Sequence, residues 1–207
     1  MRAVKGMLLL AGLIGFGPSA VMAQGTTYTR PPVGSGWRVD PAHSEVGFRI
    51  RHLVGRVRGQ FLDWEGMIVT RDTDWTHGSV NVTVRTRSIS TGNTARDQDL
   101  RSPRFFSVDS FPTMTFESTG LVMSTDQRNN FEMGGLLTIR GHTRPVVFRG
   151  QYQGIERDAN GKERLAFDGT ATINRKDFGI SWNQIVEAGN LLSDEVEIEI
   201  SLEAVRQ

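Results

Sequence analysis

The sequence predicts an all-β protein: an antiparallel barrel of about eight strands with one short helix, in a single domain. Apolar and polar side chains alternate with a period of two through most of the chain. Such alternation buries one face of each strand and leaves the other in water, as in antiparallel sheets. Short turn signals separate the alternating segments, and 23 of the 207 residues are glycine, which suits turns and bulges.

The N-terminal segment is predicted to be a secretory signal. Arg2 and Lys5 precede a short apolar run, and Val21 and Ala23 suit the −3 and −1 positions of a cleavage site. A retained membrane anchor is the alternative, but the run is shorter than the roughly 20 apolar residues that a transmembrane helix needs. We therefore expect residues 1–23 to be cleaved and the protein to be secreted to the periplasm.

The rest of the chain divides into a leader and one folded domain. Residues 24–36 are rich in Gly, Pro, Thr and Ser, which predicts a flexible leader. Residues 37–207 carry the alternating pattern throughout and show no internal repeat. We expect them to form one barrel domain.

Charge and cysteine content exclude several classes of site. The chain has no cysteine, which rules out disulfides, thiolate metal sites and an acylated lipoprotein anchor. Loss of residues 1–23 removes two of the 24 basic residues and none of the 23 acidic ones, so the net charge falls from +1 to −1. A nearly neutral chain gives no reason to expect nucleic-acid binding.

Eight segments are predicted as strands from their alternation and from the turn signals between them. The turn signals lie at Asp126–Asn130, at Gly141-His142 and at Asp158–Gly161, which includes an Asn-Gly hairpin signal. Gly134-Gly135 falls inside a strand and predicts a bulge or a tight bend. The strands are Ser44–His52, Gly59–Thr70, Val80–Arg87, Thr113–Ser124, Asn130–Arg140, Arg144–Glu156, Arg164–Asn174 and Val196–Leu202.

Two segments break the strand pattern. Gly92–Phe106 is charged, begins near a possible N-cap at Thr91 or Asn93, and stops at Pro103, so we expect one short helix or turn followed by two phenylalanines. Phe178–Ser193 is expected to form a loop or a short helix.

Catalytic and metal signatures are weak in this sequence. The four histidines lack zinc-ligand spacing, and neither a Gly-x-Ser-x-Gly motif nor a glycine-rich phosphate loop is present. Of the histidines, His52 alone lies on an apolar strand face, where a hydrogen-bonded strand-end histidine is the favoured interpretation. We predict no catalytic residue, no metal site and no cofactor.

Ten aromatic side chains lie on or beside the predicted strands. In a filled barrel they would pack together as a solid core, and in an open barrel they would line a cavity. The pattern by itself favours the packed core and leaves the cavity open. They are Phe48, Phe61, Phe105, Phe106, Phe116, Phe131, Phe148, Phe167, Phe178 and Trp182.

The order and spacing of short motifs over about residues 37–205 closely resemble the YceI-like family of polyisoprenoid-binding proteins. The motifs are Asp40-Pro41-Ala42-His43-Ser44, Phe48, His52-Leu53, Gly59-Gln60-Phe61, Ser88-Ile89-Ser90-Thr91-Gly92, Arg96-Asp97, Leu100, Phe105-Phe106, Phe111-Pro112, Phe116-Glu117-Ser118, Gly135-Leu136-Leu137-Thr138-Ile139, Gly141, Asn174-Arg175-Lys176-Asp177-Phe178-Gly179, Trp182-Asn183 and Asp194-Glu195-Val196. The spacer between His52 and Gly59 carries Arg56 and Arg58 here, but acidic residues at these positions would also fit the family. The resemblance therefore does not predict the charge of the barrel rim that this spacer forms.

The resemblance implies a lipocalin-like barrel with an elongated apolar tunnel for a long-chain isoprenoid, such as a polyprenyl lipid or a quinone tail. With this resemblance, we expect the inward aromatic side chains to line a cavity and not to fill a packed core. It also implies a possible homodimer and, as a carrier, a possible inner-membrane donor or acceptor. The candidate ligand-binding residues are Val46, Phe48, Ile50, His52, Val82, Val84, Arg96, Phe105, Phe106, Phe116, Leu137, Ile139, Phe148, Phe167, Ile198 and Ile200.

The Arg96–Leu100 segment with Phe105 and Phe106 is expected to cap one end of this tunnel. Arg96 or Arg101 would then meet a pyrophosphate or quinone oxygen, because guanidinium binds such oxygens bidentately. The alternative is that Arg96 is locked in an ion pair with Asp97. Rival functions are a quinone-linked electron-transfer accessory, a structural or stress-protective barrel, and an enzyme that uses His52.

Overall fold

The computed structural model describes residues 36–71, 74–124, 129–183, 185–186, 189–190 and 192–207. The predicted signal peptide, almost all of the leader and most of the turn at Asp126–Asn130 lie outside these residues. No helix among the described residues is long and apolar enough to cross a membrane.

The described chain consists mainly of strands. It also contains one α-helix, α1 (Thr94–Arg101), and three 3-10 turns, at Pro41–His43, Thr86–Ser88 and Arg175–Phe178. The strands are β1 (Gly36–Val39), β2 (Glu45–His52), β3 (Gly55–Phe61), β4 (Trp64–Arg71), β5 (Asp74–Arg85), β6 (Ile89–Ser90), β7 (Thr113–Met123), β8 (Asn130–Ile139), β9 (His142–Arg157), β10 (Glu163–Asn174), β11 (Ile185–Val186), β12 (Gly189–Asn190) and β13 (Leu192–Arg206).

Eight strands close a ring, which confirms the predicted antiparallel barrel. The order is β1–β4–β5–β7–β8–β9–β10–β13, and β1 then pairs with β13. The closing strand is short: Trp37 lies opposite Ile68 of β4 and opposite Arg206 of β13. The other half of β13 pairs with β2, and the β2–β3 hairpin extends the wall at one end of the ring.

One predicted strand is wrong in its continuity, because Gly59–Thr70 divides into β3 and β4. The chain bends at Leu62 and Asp63, where the Leu62 amide donates to the Ser88 carbonyl and the Asp63 carbonyl accepts from the Arg85 amide. The bend lets β3 pair with β2 while β4 pairs with β1 and β5. Alternation changes phase at the bend, because Phe61 and Trp64 are both buried while Leu62 and Asp63 between them are exposed. The single predicted strand did not take account of this shift.

The other strand predictions are confirmed, with differences at the ends. Five of them agree within two residues, whereas β5 begins earlier, at Asp74, and β13 extends over Leu192–Arg206. The predicted β5 segment ends at Arg85, because Thr86–Ser88 forms a 3-10 turn. Strand β1 was not predicted, since four residues carry too little alternation to be recognised.

The predicted helix is present as α1. Asn93 is its N-cap, and its side-chain Oδ1 accepts from the Arg96 amide at 3.0 Å. The helix ends at Arg101, two residues before Pro103. Phe178–Ser193, expected to be a loop or short helix, contains in its described part a loop and the two-stranded ribbon β11–β12.

The Gly134-Gly135 pair marks a bend in the wall, as predicted. The β7–β8 register shifts between Ser118 and Gly120, opposite these two glycines. A Cβ atom at Gly135 would overlap the Phe116 ring. Gly135 therefore lets an inward aromatic side chain lie flat against the neighbouring strand.

Candidate functional site

The barrel encloses an apolar cavity of about 480 Å³. Pockets that hold a small molecule typically occupy roughly 300–1,000 Å³. The inward faces of β2, β3, β5, β7, β8, β9, β10 and β13 form its wall, together with α1 and the segments that follow α1 and β10. Most of the lining side chains are aliphatic or aromatic, so the space suits an apolar ligand.

The structure brings fifteen of the sixteen sequence-predicted site residues to this one cavity. Their role as ligand contacts stays a prediction. For the strand residues the common location follows from alternation, whereas Arg96, Phe105 and Phe106 were selected as the expected cap of the tunnel. The residues are Val46, Phe48, Ile50, His52, Val82, Val84, Arg96, Phe105, Phe106, Phe116, Leu137, Ile139, Phe148, Ile198 and Ile200.

Phe167 is the exception. It lies in a separate cavity of about 30 Å³, next to Phe131 and Leu121. Its ring meets Phe131 edge to face at 5.7 Å and Tyr152 at 5.3 Å between centroids. Phe167 points inward as its strand parity requires, but it belongs to an aromatic cluster outside the lining of the large cavity.

Several lining residues were missed by the sequence-based selection. Some were detectable from parity, such as Val57, which pairs with Ile50, and Val196, which alternates with Glu197. Others come from loops, where no period exists to identify them. The additional lining side chains include Val57, Phe61, Val80, Asp99, Leu100, Met114, Met133, Arg175, Phe178, Ile180, Trp182, Leu192, Val196 and Leu202.

Two aromatic groups shape the cavity wall. Phe116 and Phe148 meet edge to face at 5.2 Å between centroids. Phe106 meets Phe61 edge to face at 5.7 Å, and Phe61 lies 5.9 Å from Phe48. Edge-to-face pairs hold rings at fixed angles, so the wall of the cavity is well defined.

Helix α1 and the two phenylalanines after it line the cavity, and their role as a cap at one end stays a prediction. Arg140 Nη1 donates to the Phe105 carbonyl at 2.5 Å, and the Phe105 ring lies 5.3 Å from Trp182. Ala95, Arg96 and Leu100 of the helix line the same space. This part of the lining therefore combines apolar side chains with a few polar ones.

Arg96 and Asp97 are neighbours in sequence but do not pair with each other. Asp97 is buried, and its Oδ1 accepts from the Thr91 amide at 2.9 Å and the Thr91 hydroxyl at 2.6 Å. Arg96 is exposed and donates from Nε to Thr91 Oγ1 at 2.7 Å and from Nη2 to the Thr91 carbonyl at 3.1 Å. The predicted alternative of an Arg96–Asp97 ion pair is therefore wrong.

Arg101 has a structural role instead of a place in the cavity. Its Nε donates to the Arg87 carbonyl at 2.8 Å and its Nη2 to the Ile89 carbonyl at 2.7 Å, which ties the end of α1 to β6. It is not part of the cavity lining. Of the two arginines proposed for a head group, the geometry retains Arg96.

Arg175 is a buried charge at the cavity wall that the sequence selection did not include. It donates to the carbonyls of Ser193, Ile180 and Trp182 at 2.7–2.9 Å, and its Nη2 lies 3.1 Å from Asp194 Oδ1. Burial lowers the pKa of this guanidinium, and Asp194 opposes the change. Arg175 thereby holds the loop after β10 against the barrel.

His52 and one acidic cluster are the remaining candidates for chemistry. His52 lines the cavity, and no hydrogen bond to its ring occurs among the described residues. Asp40, His43 and Glu203 lie close enough to share a metal ion. However, Arg164 Nη1 already bridges Asp40 Oδ2 at 2.9 Å and Glu203 Oε1 at 2.5 Å, so a guanidinium occupies the place that a cation would take.

Comparisons with known proteins cover nearly all of the barrel. The model of the YceI-like domain family matches residues 37–204. A UPF0312 protein of Pseudomonas paraeruginosa is 36% identical over 166 residues, which span 80% of this chain and 83% of that protein.

Solved structures show the same fold. BcnA of Burkholderia cenocepacia superposes with a TM-score of 0.68 at 21% identity, over 80% of this chain and 98% of that one. A polyisoprenoid-binding domain from Saccharophagus degradans, implicated in plant cell wall breakdown, superposes with a TM-score of 0.63 at 14% identity, over 84% of this chain and all of that one.

Proposed function

The chain belongs to the YceI-like domain family, and from this premise we propose that it binds and carries a long-chain isoprenoid lipid, a polyprenyl chain or a quinone tail, in the periplasm. The observation that carries the proposal is the apolar cavity of about 480 Å³ inside the barrel. The polyisoprenoid-binding domain of Saccharophagus degradans shares the fold and supports this ligand class.

The tail of such a lipid supplies the affinity. Each methylene-sized group transferred from water to the cavity contributes about 0.8 kcal/mol, before the cost of ordering the chain. Isoprenoid tails have methyl branches and make no directional bonds. A wall of branched and aromatic side chains such as Val82, Ile198 and Phe116 suits them.

The head of the lipid is proposed to lie near Arg96. Its Nε and Nη2 are held by Thr91, so the guanidinium has a fixed position at the cavity. A phosphate or quinone oxygen accepts hydrogen bonds from such a group.

A binding role is favoured over catalysis by the surroundings of His52. A general base needs a neighbouring group that fixes its ring, and no such hydrogen bond to His52 occurs among the described residues. The lining around it is largely aliphatic.

The direct test is native mass spectrometry of the exported chain, followed by solvent extraction and identification of the bound lipid. We expect an isoprenoid in the wild type. A tryptophan in the cavity, Ile198→Trp, should displace about three or four methylene-sized groups of the tail and lower the affinity about 100-fold.

The matched control is Val147→Trp on the outer face of β9, where Val147 is exposed, and it should bind as the wild type does. A bare wild-type chain that also fails to take up added polyprenyl phosphate would refute the proposal. A bound quinone would be consistent with the carrier role and would favour a function in quinone-linked electron transfer.

A further inference from the structure

The tip of the β2–β3 hairpin carries two apolar residues in solvent. Leu53 and Val54 form the two-residue turn, and Val54 is fully exposed. Leu53 adopts a φ of +52°, in the left-handed region that disfavours a branched side chain. Turns of this length normally use Asn-Gly or another glycine pair. Folding alone does not account for Leu-Val at this position.

The outer face of the same hairpin is strongly basic. Arg51 lies directly opposite Arg56, and Arg49 directly opposite Arg58. Like charges in such cross-strand pairs destabilise a sheet. Arg49 is compensated by two glutamates of β13, at 2.5 and 2.8 Å. Within the described residues, Arg51, Arg56 and Arg58 have no ion-pair partner and are exposed.

The inner face of the hairpin belongs to the cavity. Ile50, His52 and Val57 line it, and His52 directly precedes the tip, so the cavity extends along the hairpin as far as its tip. A single hairpin therefore has the cavity on one face, uncompensated arginines on the other, and apolar side chains at its end.

We propose that this hairpin docks the protein on a bilayer surface that contains anionic phospholipids. Arg51, Arg56 and Arg58 contact the phosphate headgroups, and Leu53 and Val54 insert between them toward the acyl chains. The cargo lipid then passes between the bilayer and the cavity along the inner face of the hairpin. This inference rests on the proposed function as a lipid carrier.

A bilayer fits this surface better than an acidic protein partner. A stable protein interface needs roughly 1,000 Å² of complementary surface, whereas here the apolar part consists of two side chains at a narrow tip. Two apolar side chains with adjacent arginines are enough for reversible attachment to an anionic interface. The cavity lining also extends to His52 beside the tip, so the cavity lies close to whatever surface the tip contacts.

The test is flotation of the exported chain with vesicles of phosphatidylcholine, with or without phosphatidylglycerol. Three variants are compared with the wild type: the tip variant Leu53→Asn/Val54→Gly, the charge variant Arg51→Gln/Arg56→Gln/Arg58→Gln, and the control Arg144→Gln/Val147→Ser at two exposed positions of β9. The tip variant introduces the favoured turn residues, so it should fold at least as well as the wild type.

We expect the wild type and the control to bind vesicles that contain phosphatidylglycerol. The charge variant should lose about 100-fold in affinity, from about fivefold for each arginine, and the tip variant about tenfold. Uptake of a fluorescent polyprenyl phosphate from detergent micelles, measured in parallel, should be unchanged in both variants.

Two other results separate this inference from the proposed function. Normal uptake from micelles without any vesicle binding by the wild type would overturn the docking role and leave the carrier function intact. Vesicle binding without uptake from micelles would overturn the carrier function, and with it the passage of cargo along the hairpin. Equal vesicle binding by the wild type and both hairpin variants would overturn the docking role.

Discussion

At the scale of single residues, Arg96 and Asp97 show how adjacent charges on a short helix take different roles. Consecutive helical residues point in directions about 100° apart, so they do not face each other. Asp97 is buried and accepts two hydrogen bonds from Thr91, whereas Arg96 is exposed and lines the cavity. The carboxylate is part of the fold, and the guanidinium is available to a ligand.

Replacement of each residue should separate these roles. Asp97→Ala leaves the Thr91 amide and hydroxyl without their acceptor and should cost about 1–3 kcal/mol. Arg96→Ala should change the melting temperature little, but it should lower affinity for a polyprenyl phosphate about tenfold, because it removes a hydrogen bond to a charged oxygen. Thermal melts and a binding titration measure the two effects.

Asp97→Asn is the matched control for the first substitution, since its amide oxygen still accepts from Thr91, and it should recover most of the stability. A polyprenyl alcohol is the control ligand for the second, because it lacks the phosphate. A melting temperature that falls as far in Arg96→Ala as in Asp97→Ala would make Arg96 a structural residue.

At the scale of elements, Arg164 joins four parts of the chain. From its position in β10 it reaches Asp40 between β1 and β2 at 2.9 Å, Asp158 in the β9–β10 turn at 3.0 Å, and Glu203 in β13 at 2.5 Å. The Arg164 hydrogen bond is the main cause of the lowered pKa of Asp40, with His43 next, and it also lowers the pKa of Asp158.

This cluster predicts an acid-sensitive contribution to stability. A carboxyl whose pKa is lowered by folding stabilises the folded state above its ordinary pKa of 3.8, and the effect is lost as pH falls through the lower folded value. The urea midpoint of the wild type should therefore drop between about pH 5 and pH 2. The groups are partly exposed, so the drop should be modest.

In Arg164→Gln the carboxyl groups lose the cation that lowers their pKa. We expect this variant to be less stable than the wild type at neutral pH and to show a flatter acid limb in the same titration. Arg144→Gln, which removes an exposed arginine without an ion pair among the described residues, serves as the control. If the urea midpoints of the wild type and Arg164→Gln fell in parallel as the pH is lowered, Arg164 would not be the cause of the lowered carboxyl pKa values.

At the scale of the whole molecule, the barrel has space at its centre that its own side chains do not fill. Side chains that face a void lack contacts on one side, so an occupant that supplies them stabilises the folded state. The cavity lining includes residues of eight ring or hairpin strands. Bound lipid should therefore stabilise the barrel as a unit.

Lipid removal should lower the melting temperature. A ligand at 100 times its Kd adds about 2.7 kcal/mol, and about 2–4 °C per kcal/mol is expected for a chain of this size, which gives roughly 5–10 °C. Calorimetry of loaded and solvent-extracted protein measures the shift. Ile198→Trp, which occupies part of the cavity itself, should show a smaller difference, and an equal shift in that variant would place the lipid elsewhere.

The features that could be predicted are those that depend on local alternation. Val82 and Val84 of β5 and Ile198 and Ile200 of β13 were assigned to the inner face from period two alone, and the structure places all four at the cavity. The N-cap of α1 was narrowed to Thr91 or Asn93, because capping is a contact within a few residues, and the structure selects Asn93. The bend at Leu62 and Asp63 was not predicted, because it depends on hydrogen bonds with Ser88 and Arg85, more than twenty residues away in the chain.

The sequence by itself determined the family resemblance and the inward or outward direction of most strand residues, since alternation on a strand is a local property. The secretory signal expected at the N-terminus stays a prediction. Only the tertiary structure decided that the inward faces surround a cavity, that Phe167 lies outside its lining, and that the β2–β3 hairpin carries its arginines on the face opposite the cavity. These features depend on ring closure through β1 and on which side chains meet across the barrel. Contacts between residues far apart in the chain leave no period in the sequence.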